Sequence, residues 1–271
     1  MELLVVVAVI AMLIAIVVGA AGSLRESSLQ VSEMASARSL GQAWQGYATD
    51  NKGAVLPGYH FDGFEATDAY GTAIEPEGTE EFVYVKRWPW RLASYLGSDL
   101  HALYTDVKDY RLDQLSGQER NDLLYQVSAL PSFGLNSVYV GGDENFGGFS
   151  DIFRQTFGNF YVQRLSTVRD PGKLVVFSTA RGNNGVPGAE DTTVVEGFFR
   201  VLPPAWSQPI WSNEYDKDDA ASAGNISARH GDEVISVAVD GRVSVDSVDE
   251  LRDMRRWSNA ATNPDWLLTP R

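Results

Sequence analysis

Cysteine is absent from the 271-residue chain, which removes disulfides, thiolate metal centres and cysteine nucleophiles together. Histidine is scarce: His60, His101 and His230 are the only ones, too few for most multi-histidine metal sites. Basic residues are also in deficit, with 22 Lys plus Arg against 36 Asp plus Glu and a formal net charge of −14. Gripping nucleic acid or an anionic membrane surface requires cations that neutralise phosphates, so neither is expected as a partner. Familiar catalytic signatures are missing too. There is no Gly-x-Ser-x-Gly elbow, no His-Glu-x-x-His and no glycine-rich loop ending in Lys-Ser or Lys-Thr. The glycines of VGGDENFGGF have neither the spacing nor the following helix of a dinucleotide fingerprint. No enzymatic constellation is legible, and the chain is not expected to be an enzyme.

What the sequence does have is a long apolar start. Leu3 to Gly22 reads LLVVVAVIAMLIAIVVGAAG, twenty residues without a charge, and as a helix it would be ~30 Å long, enough to cross a bilayer. A helix buried in a large soluble protein rarely stays apolar on every face for so long. A secretory signal would carry a basic first segment and a shorter apolar run, whereas here Glu2 sits where Lys or Arg belongs. A membrane-spanning helix is the expectation.

No proline or turn cluster interrupts SLRESSLQVSEMASARSLGQAWQGYATDN, which follows. Leu24, Val31 and Ala35, then Leu40, Ala43, Trp44, Tyr47 and Ala48, recur at steps of three and four, so the helix is predicted to continue and to lay one stripe against a globular head. Asp50-Asn51-Lys52-Gly53 supplies the stop. Residues 1–22 are therefore read as a transmembrane or filament-core helix, 23–53 as its amphipathic continuation, and 54–271 as an exported head.

In the head, EFVYVKRW, SVYVGG, KLVVFSTA, TTVVEGFFRV and EVISVAV read as strands. Arg91–Leu96 and Leu112–Val127 read as helical or irregular insertions. Strands and helices do not alternate regularly, so a parallel doubly wound sheet is not expected. The predicted class is α+β, a long helix packed on a mainly antiparallel sheet. Asp240-Gly241, between EVISVAV and RVSVDSV, is read as a two-residue type I′ hairpin turn, with strands pairing across Val239 and Arg242.

Two sets of residues carry a family likeness. MELLVVVAVIAMLIAIVVGAA resembles the mature N-terminus of type IV pilins and of type II secretion pseudopilins. His230, then nine residues, then Asp240 and Gly241 resembles the His-X9-Asp-Gly signature of a large bacterial subfamily of pilin-like proteins. DMRRWS, LGQAWQGYATDNKGAVLPGY and SFGLNSVYVGGD also look like that subfamily. Most of residues 59–130 resembles nothing named. The resemblance implies a pilin-like fold and a structural role, as a subunit of a type II secretion-like pseudopilus or a type IV pilus-like filament. It implies copies of the same chain as partners, together with lipid before assembly, inner-membrane assembly machinery and a prepilin peptidase. It places the helix in the inner membrane and the head in the periplasm or on an extracellular filament. Glu2 matches the glutamate that sets docking register by pairing with a neighbouring subunit's N-terminal amine, in keeping with the cost of an unpaired carboxylate in lipid and with the pull of a helix N-terminus on negative charge. A glutamate merely resting at the membrane interface is the plainer alternative. A rival from another class is a membrane-tethered binding module, for carbohydrate or protein, that never polymerises.

Three further features leave alternatives open. His230 with Asp240 invites an acid–base reading, against a structural one in which the histidine bonds backbone groups near the turn. Asp216, Asp218 and Asp219, or Asp143, Glu144 and Asn145, offer hard oxygen ligands that would suit calcium, related pseudopilins having such a loop; solvated acidic loops are the alternative. Seven tryptophans serve either as stacking platforms or as pins for irregular chain. On the pilin likeness, Met1 stands inside a longer native sequence that runs upstream through a Gly-Phe-Thr-Leu stretch. Mass spectrometry of the protein from its native host is expected to find an N-terminus upstream of Met1; a mature chain starting at Met1 would refute that expectation.

Overall fold

The computed structural model describes residues 2–60, 66–67, 73–74, 82–97, 103, 117–183 and 193–271; for 2–23 and 82–83 only the helical backbone is described, save Val7, Met12 and Gly22. His101 and Leu112–Ser116 lie outside these residues. The first element is a single helix, α1 (Glu2–Asp50), ~74 Å long at the standard rise. Gly53 N–H donates to the Ala48 carbonyl at 2.7 Å, and Lys52 and Gly53 both take positive φ (55° and 83°), so the predicted stop cluster ends the helix in a left-handed turn.

Four strands form an antiparallel sheet in the order β1 (Phe133–Leu135), β2 (Val175–Thr179), β5 (Glu233–Ala238) and β6 (Val243–Ser247). A separate two-stranded ribbon pairs β3 (Arg181–Asn183) with β4 (Val194–Glu196). The class is α+β. Both faces of the sheet are covered. Ile235, Val237 and Val239 join Leu40, Trp44, Trp88 and Trp90 in one core, whereas Val234 joins Trp211, Met254 and Trp257 in a second. Alternation along β5 therefore serves two apolar layers, which is why it reads as a continuous apolar run. A register shift between Val175 and Phe177 in β2 brings Val176 and Phe177 into the same core.

Several elements differ from the sequence reading. Within EFVYVKRW, Phe82–Lys86 form the helix α2 and Trp88 opens α3 (Trp88–Ala93), with Arg87 bridging to Tyr59 between them and Glu81 outside the described residues. Pro89 sits in the first turn of α3, where its missing N–H costs nothing, and Trp88 and Trp90 donate their indole N–H groups to the carbonyls of Phe199 (2.6 Å) and Leu124 (2.9 Å). Burial of aromatics prevailed over their strand preference. SVYVGG is a turn with one isolated bridge, and the described part of TTVVEGFFRV forms a strand at Val194–Glu196 and an isolated bridge from Arg200 to Leu135, while α4 (Gly117–Ala129) and α5 (Asp151–Phe157) are the other α-helices among the described residues. Trp44 on α1, Trp88 and Trp90 on α3, and Trp257 are fully buried, so these four are core residues and not exposed stacking platforms.

The helix meets the head along a shorter stripe than the apolar periodicity predicts. Leu24 and Val31 are exposed (69% and 64%), as is Ala35. The buried positions are Glu33, Ala37, Leu40, Gly41, Ala43, Trp44 and Ala48. The stripe starts on a carboxylate, which a search for apolar spacing passes over. Among the described residues no helix is long and apolar enough to cross a membrane; the side chains of Leu3–Gly22, apart from Val7 and Met12, lie outside them.

Helix and sheet approach closely at Gly41, where an added Cβ would lie 2.9 Å from Val237 Cγ1. Val237 is branched and buried (1%), so it cannot swing away. Alanine would gain about 1 kcal/mol over glycine in a helix, and overpacking costs about 1–3 kcal/mol. Gly41→Ala is therefore expected to lower the unfolding free energy in a denaturant titration, and to raise it once Val237→Ala has opened the space.

Candidate functional site: the helix-docking face of the hairpin

The chain approaches β5 through an unusual turn. His230, Gly231 and Asp232 all take positive φ (61°, 79° and 67°), closed by the Glu233 N–H donating to the Arg229 carbonyl at 3.2 Å. For residues with a Cβ, left-handed backbone costs about 1–2 kcal/mol each, so something must hold this turn. The holding contact comes from α1. His230 Nε2 lies 2.7 Å from Glu33 Oε2, and Arg229 Nη1 lies 3.2 Å from Glu33 Oε1. Arg229 also reaches Glu196 Oε2 at 3.4 Å and donates to the Ser132 and Ala180 carbonyls, while Ser227 Oγ donates to Glu196. Glu33 is 1% exposed. A carboxylate this buried persists only with charged or hydrogen-bonding partners, and both come from the residues just before β5. Gln30 adds a bond to Glu233 Oε2 at 2.8 Å.

The far end of β5 docks one helical span further on. Gln45 Nε2 donates to the Val239 carbonyl at 2.9 Å, and Gly241 Cα lies beside Gly41. From Gln30 to Gln45 the helix rises ~22 Å, and their partners Glu233 and Val239 are ~20 Å apart along the strand, so helix and strand present these two fastening points at similar separations. The nine residues between His230 and Asp240 are thus a strand's length between two contacts on α1.

The hairpin itself is not the two-residue type I′ turn. Ala238 N–H donates to the Arg242 carbonyl and Gly241 N–H to the Ala238 carbonyl, both at 2.9 Å, and in the turn only Gly241 has positive φ (83°). This is a three-residue loop, a type I turn closed by a left-handed glycine. The extra residue follows from tertiary bonds, since Val239 and Asp240 donate their N–H groups to the Leu174 and Pro171 carbonyls, both at 3.0 Å. Asp240 Oδ1 accepts from the Arg242 N–H at 3.0 Å. His230 and Asp240 therefore sit at opposite ends of β5, each engaged elsewhere, and form no acid–base pair.

The Asp216–Asp219 segment is organised by a cation that belongs to the chain. Arg181, 2% exposed, donates from Nη1 to the Lys217 carbonyl (2.5 Å), from Nη2 to the Asp216 (2.5 Å) and Asp219 (2.9 Å) carbonyls, and from Nε to the Ile226 carbonyl (3.0 Å). Asp216 Oδ1 accepts from the Asp218 N–H and Asp219 Oδ1 from the Ala221 N–H, both at 2.9 Å. The loop carbonyls that would face a calcium ion thus face a guanidinium. Among the described residues, no group of three or more His, Asp or Glu is placed to hold a metal ion.

The other acidic loop is also turned inward, which composition did not reveal. Asp143 is fully buried, accepts from Ser137 Oγ (2.7 Å) and the Asn145 N–H (3.0 Å), and pairs with Arg200 Nε (2.8 Å). Burial raises the Asp143 carboxyl above its ordinary range against the pull of Arg200, and burial lowers the Arg200 guanidinium against the pull of Asp143. Glu144 Oε1 faces His60 Nδ1 at 2.5 Å, and the His60 ring stacks on Phe149 with centroids 3.9 Å apart. Glu2 begins α1; its side chain lies outside the described residues.

His230→Ala and Glu33→Gln are each expected to cost about 1–3 kcal/mol of unfolding free energy, with a coupling of about 0.5–3 kcal/mol between them. Asp240→Ala, paired with Glu33→Gln, should show no coupling. Additive His230 and Glu33 changes would refute the contact.

Comparison of the chain with family models, with curated proteins and with solved structures finds no match.

Proposed function

We propose that the chain is a pilin-like structural subunit, assembled through α1 into a pseudopilus of a type II secretion-like system or a type IV pilus-like filament. The observation that supports this most is how far α1 outruns its head. Burial against the chain's own head begins at Glu33, and the side chains described before it are open: Val7 59%, Met12 69%, Leu24 69% and Leu29 47% exposed. Apolar side chains left in water cost about 25 cal/mol for each Å² exposed, so on this reading lipid or neighbouring helices cover them. Lipid would do so before assembly, and copies of α1 afterwards.

The docking face gives this reading a mechanical basis. A helix that carries load between a filament core and an outer head needs a fastening that resists sliding. Glu33 with His230 and Arg229 at one end of β5, and Gln45 with Val239 at the other, fix the helix at two points. The acidic head would face outward, where like charge keeps crowded neighbours soluble.

Glu2 would select the register between neighbouring helices, because a carboxylate moved into an apolar bundle must meet a partner charge. Glu2→Ala is expected to abolish filaments or secretion while leaving membrane insertion intact, as scored by electron microscopy of labelled cells and by membrane fractionation. Normal filaments from the variant would refute this role, and a labelled native protein that never enters filaments would favour a tethered binding module.

A further inference from the structure

One cavity in the head stands apart from α1 and from the hairpin. It has a volume of about 350 Å³ and is lined by Arg164, Arg169 and Arg271 together with the neutral Asn159, Gln163 and Asn259. No aspartate or glutamate lines it, in a chain with 36 of them.

The state of the other arginines makes this grouping informative. From Arg154 onward, Arg154, Arg200, Arg229, Arg242, Arg252, Arg255 and Arg256 each pair with a carboxylate, and Arg181 is saturated by carbonyls. Among the described residues Arg164, Arg169 and Arg271 are the members of this set with neither a carboxylate partner nor a saturating group of carbonyls, and all three line one cavity. Asp170, next to Arg169, is engaged instead by Lys173 Nζ at 3.3 Å. Hydrogen bonds place the segments that carry these arginines around the cavity. Arg164 Nη1 donates to the Lys52 carbonyl at 3.1 Å; the Arg169 N–H donates to Asn259 Oδ1 at 2.8 Å, and Asn259 Nδ2 donates to the Thr167 carbonyl at 2.9 Å. The Arg271 guanidinium lies against Gly158, where an added Cβ would come within 2.2 Å of Cζ, so a side chain at 158 would displace it.

The surroundings specify more than an anion. Tyr161 lines this cavity and also an adjoining hollow of about 40 Å³, which Phe149 lines as well. Phe149 is 38% exposed and is held at φ 67°, its N–H donating to the Tyr161 hydroxyl at 3.2 Å. An aromatic kept partly open on left-handed backbone is a feature that stability alone does not favour. The main cavity has the volume of a small-ligand site, and the hollow is too small for a second ring but takes a substituent. Guanidinium forks match carboxylate or sulfate oxygens, side-chain amides match hydroxyls, and aromatic edges and faces match the apolar side of a sugar ring.

We propose that this cavity binds an acidic saccharide, a sugar ring bearing a carboxylate or sulfate, independently of assembly through α1. The test is calorimetry on the full chain in a non-ionic detergent, with four probes: oligogalacturonate, a sulfated galactose oligomer, a neutral galactose oligomer and sodium sulfate. At least one of the two acidic oligomers is expected to bind, more weakly as salt rises, with the neutral oligomer and inorganic sulfate binding at least about tenfold less tightly. Whichever of the two binds identifies the anionic group. Arg164→Ala, Arg169→Ala and Arg271→Ala are each expected to weaken binding about tenfold or more. These side chains are exposed, so the melting temperature should not move, and Arg242→Ala, outside the cavity, should leave binding unchanged. The proposal is overturned if neither acidic oligomer binds, if sulfate or the neutral oligomer binds as tightly, or if the three arginine variants bind like the parent chain.

Discussion

A carboxylate buried between the long helix and the sheet constrains most of this molecule. Glu33 is turned into the head, where its charge has to be met within a few ångströms or it would cost more than the surrounding packing supplies. His230 and Arg229 meet it, and to do so the chain before β5 bends through three successive left-handed residues. The strand that follows is then placed along α1, and its side chains fall alternately into the two apolar layers. A sheet docked by apolar contact alone could slide by a helical turn at little cost. One docked by a buried ion pair at one end and a glutamine–carbonyl bond at the other has a single register.

The remainder of the head is irregular, and buried guanidiniums organise it. Arg181 holds the Asp216–Asp219 segment through its carbonyls, Arg200 holds Asp143 beneath the Gly141–Gly148 turns, and Arg91 donates to the Gly58 and Lys86 carbonyls. Planar, many-donor cations suit this work because one side chain satisfies several carbonyls that no helix or strand has paired. The opposed shifts of Asp143 and Arg200 have the same origin, desolvation outweighing their mutual attraction. In a chain without disulfides, such networks do what cross-links do elsewhere.

Function divides along the same line as packing. On the proposed reading, the part of α1 that the head leaves uncovered would serve assembly, the part with Glu33, Gly41 and Gln45 would transmit it, and the head would carry the proposed binding cavity. Among the described arginines from Arg154 onward, those outside the cavity are engaged by carboxylates or, for Arg181, by carbonyls, which sets the three around it apart.

The α+β class, the course of α1 to Asp50, the strands β2 and β5 and the helical insertions at Arg91–Leu96 and near Leu112–Val127 were legible in the sequence, because period and stop signals are local. The same local rules misplaced EFVYVKRW, whose aromatics answer to a core assembled from distant residues, and the hairpin loop, whose length follows from bonds to Pro171 and Leu174. On sequence His230 reads either as half of an acid–base pair or as bonding backbone groups near its turn, and neither reading names its partner, the Glu33 carboxylate. Glu33 lies 197 residues away, and a glutamate in an amphipathic helix carries no local mark of being buried. The arginine cavity was equally hidden, since each of its cations looks solvated on its own. Composition and periodicity decide what a segment can form; which distant residues come to line one cavity or meet one buried carboxylate is decided only by the packing of the whole head.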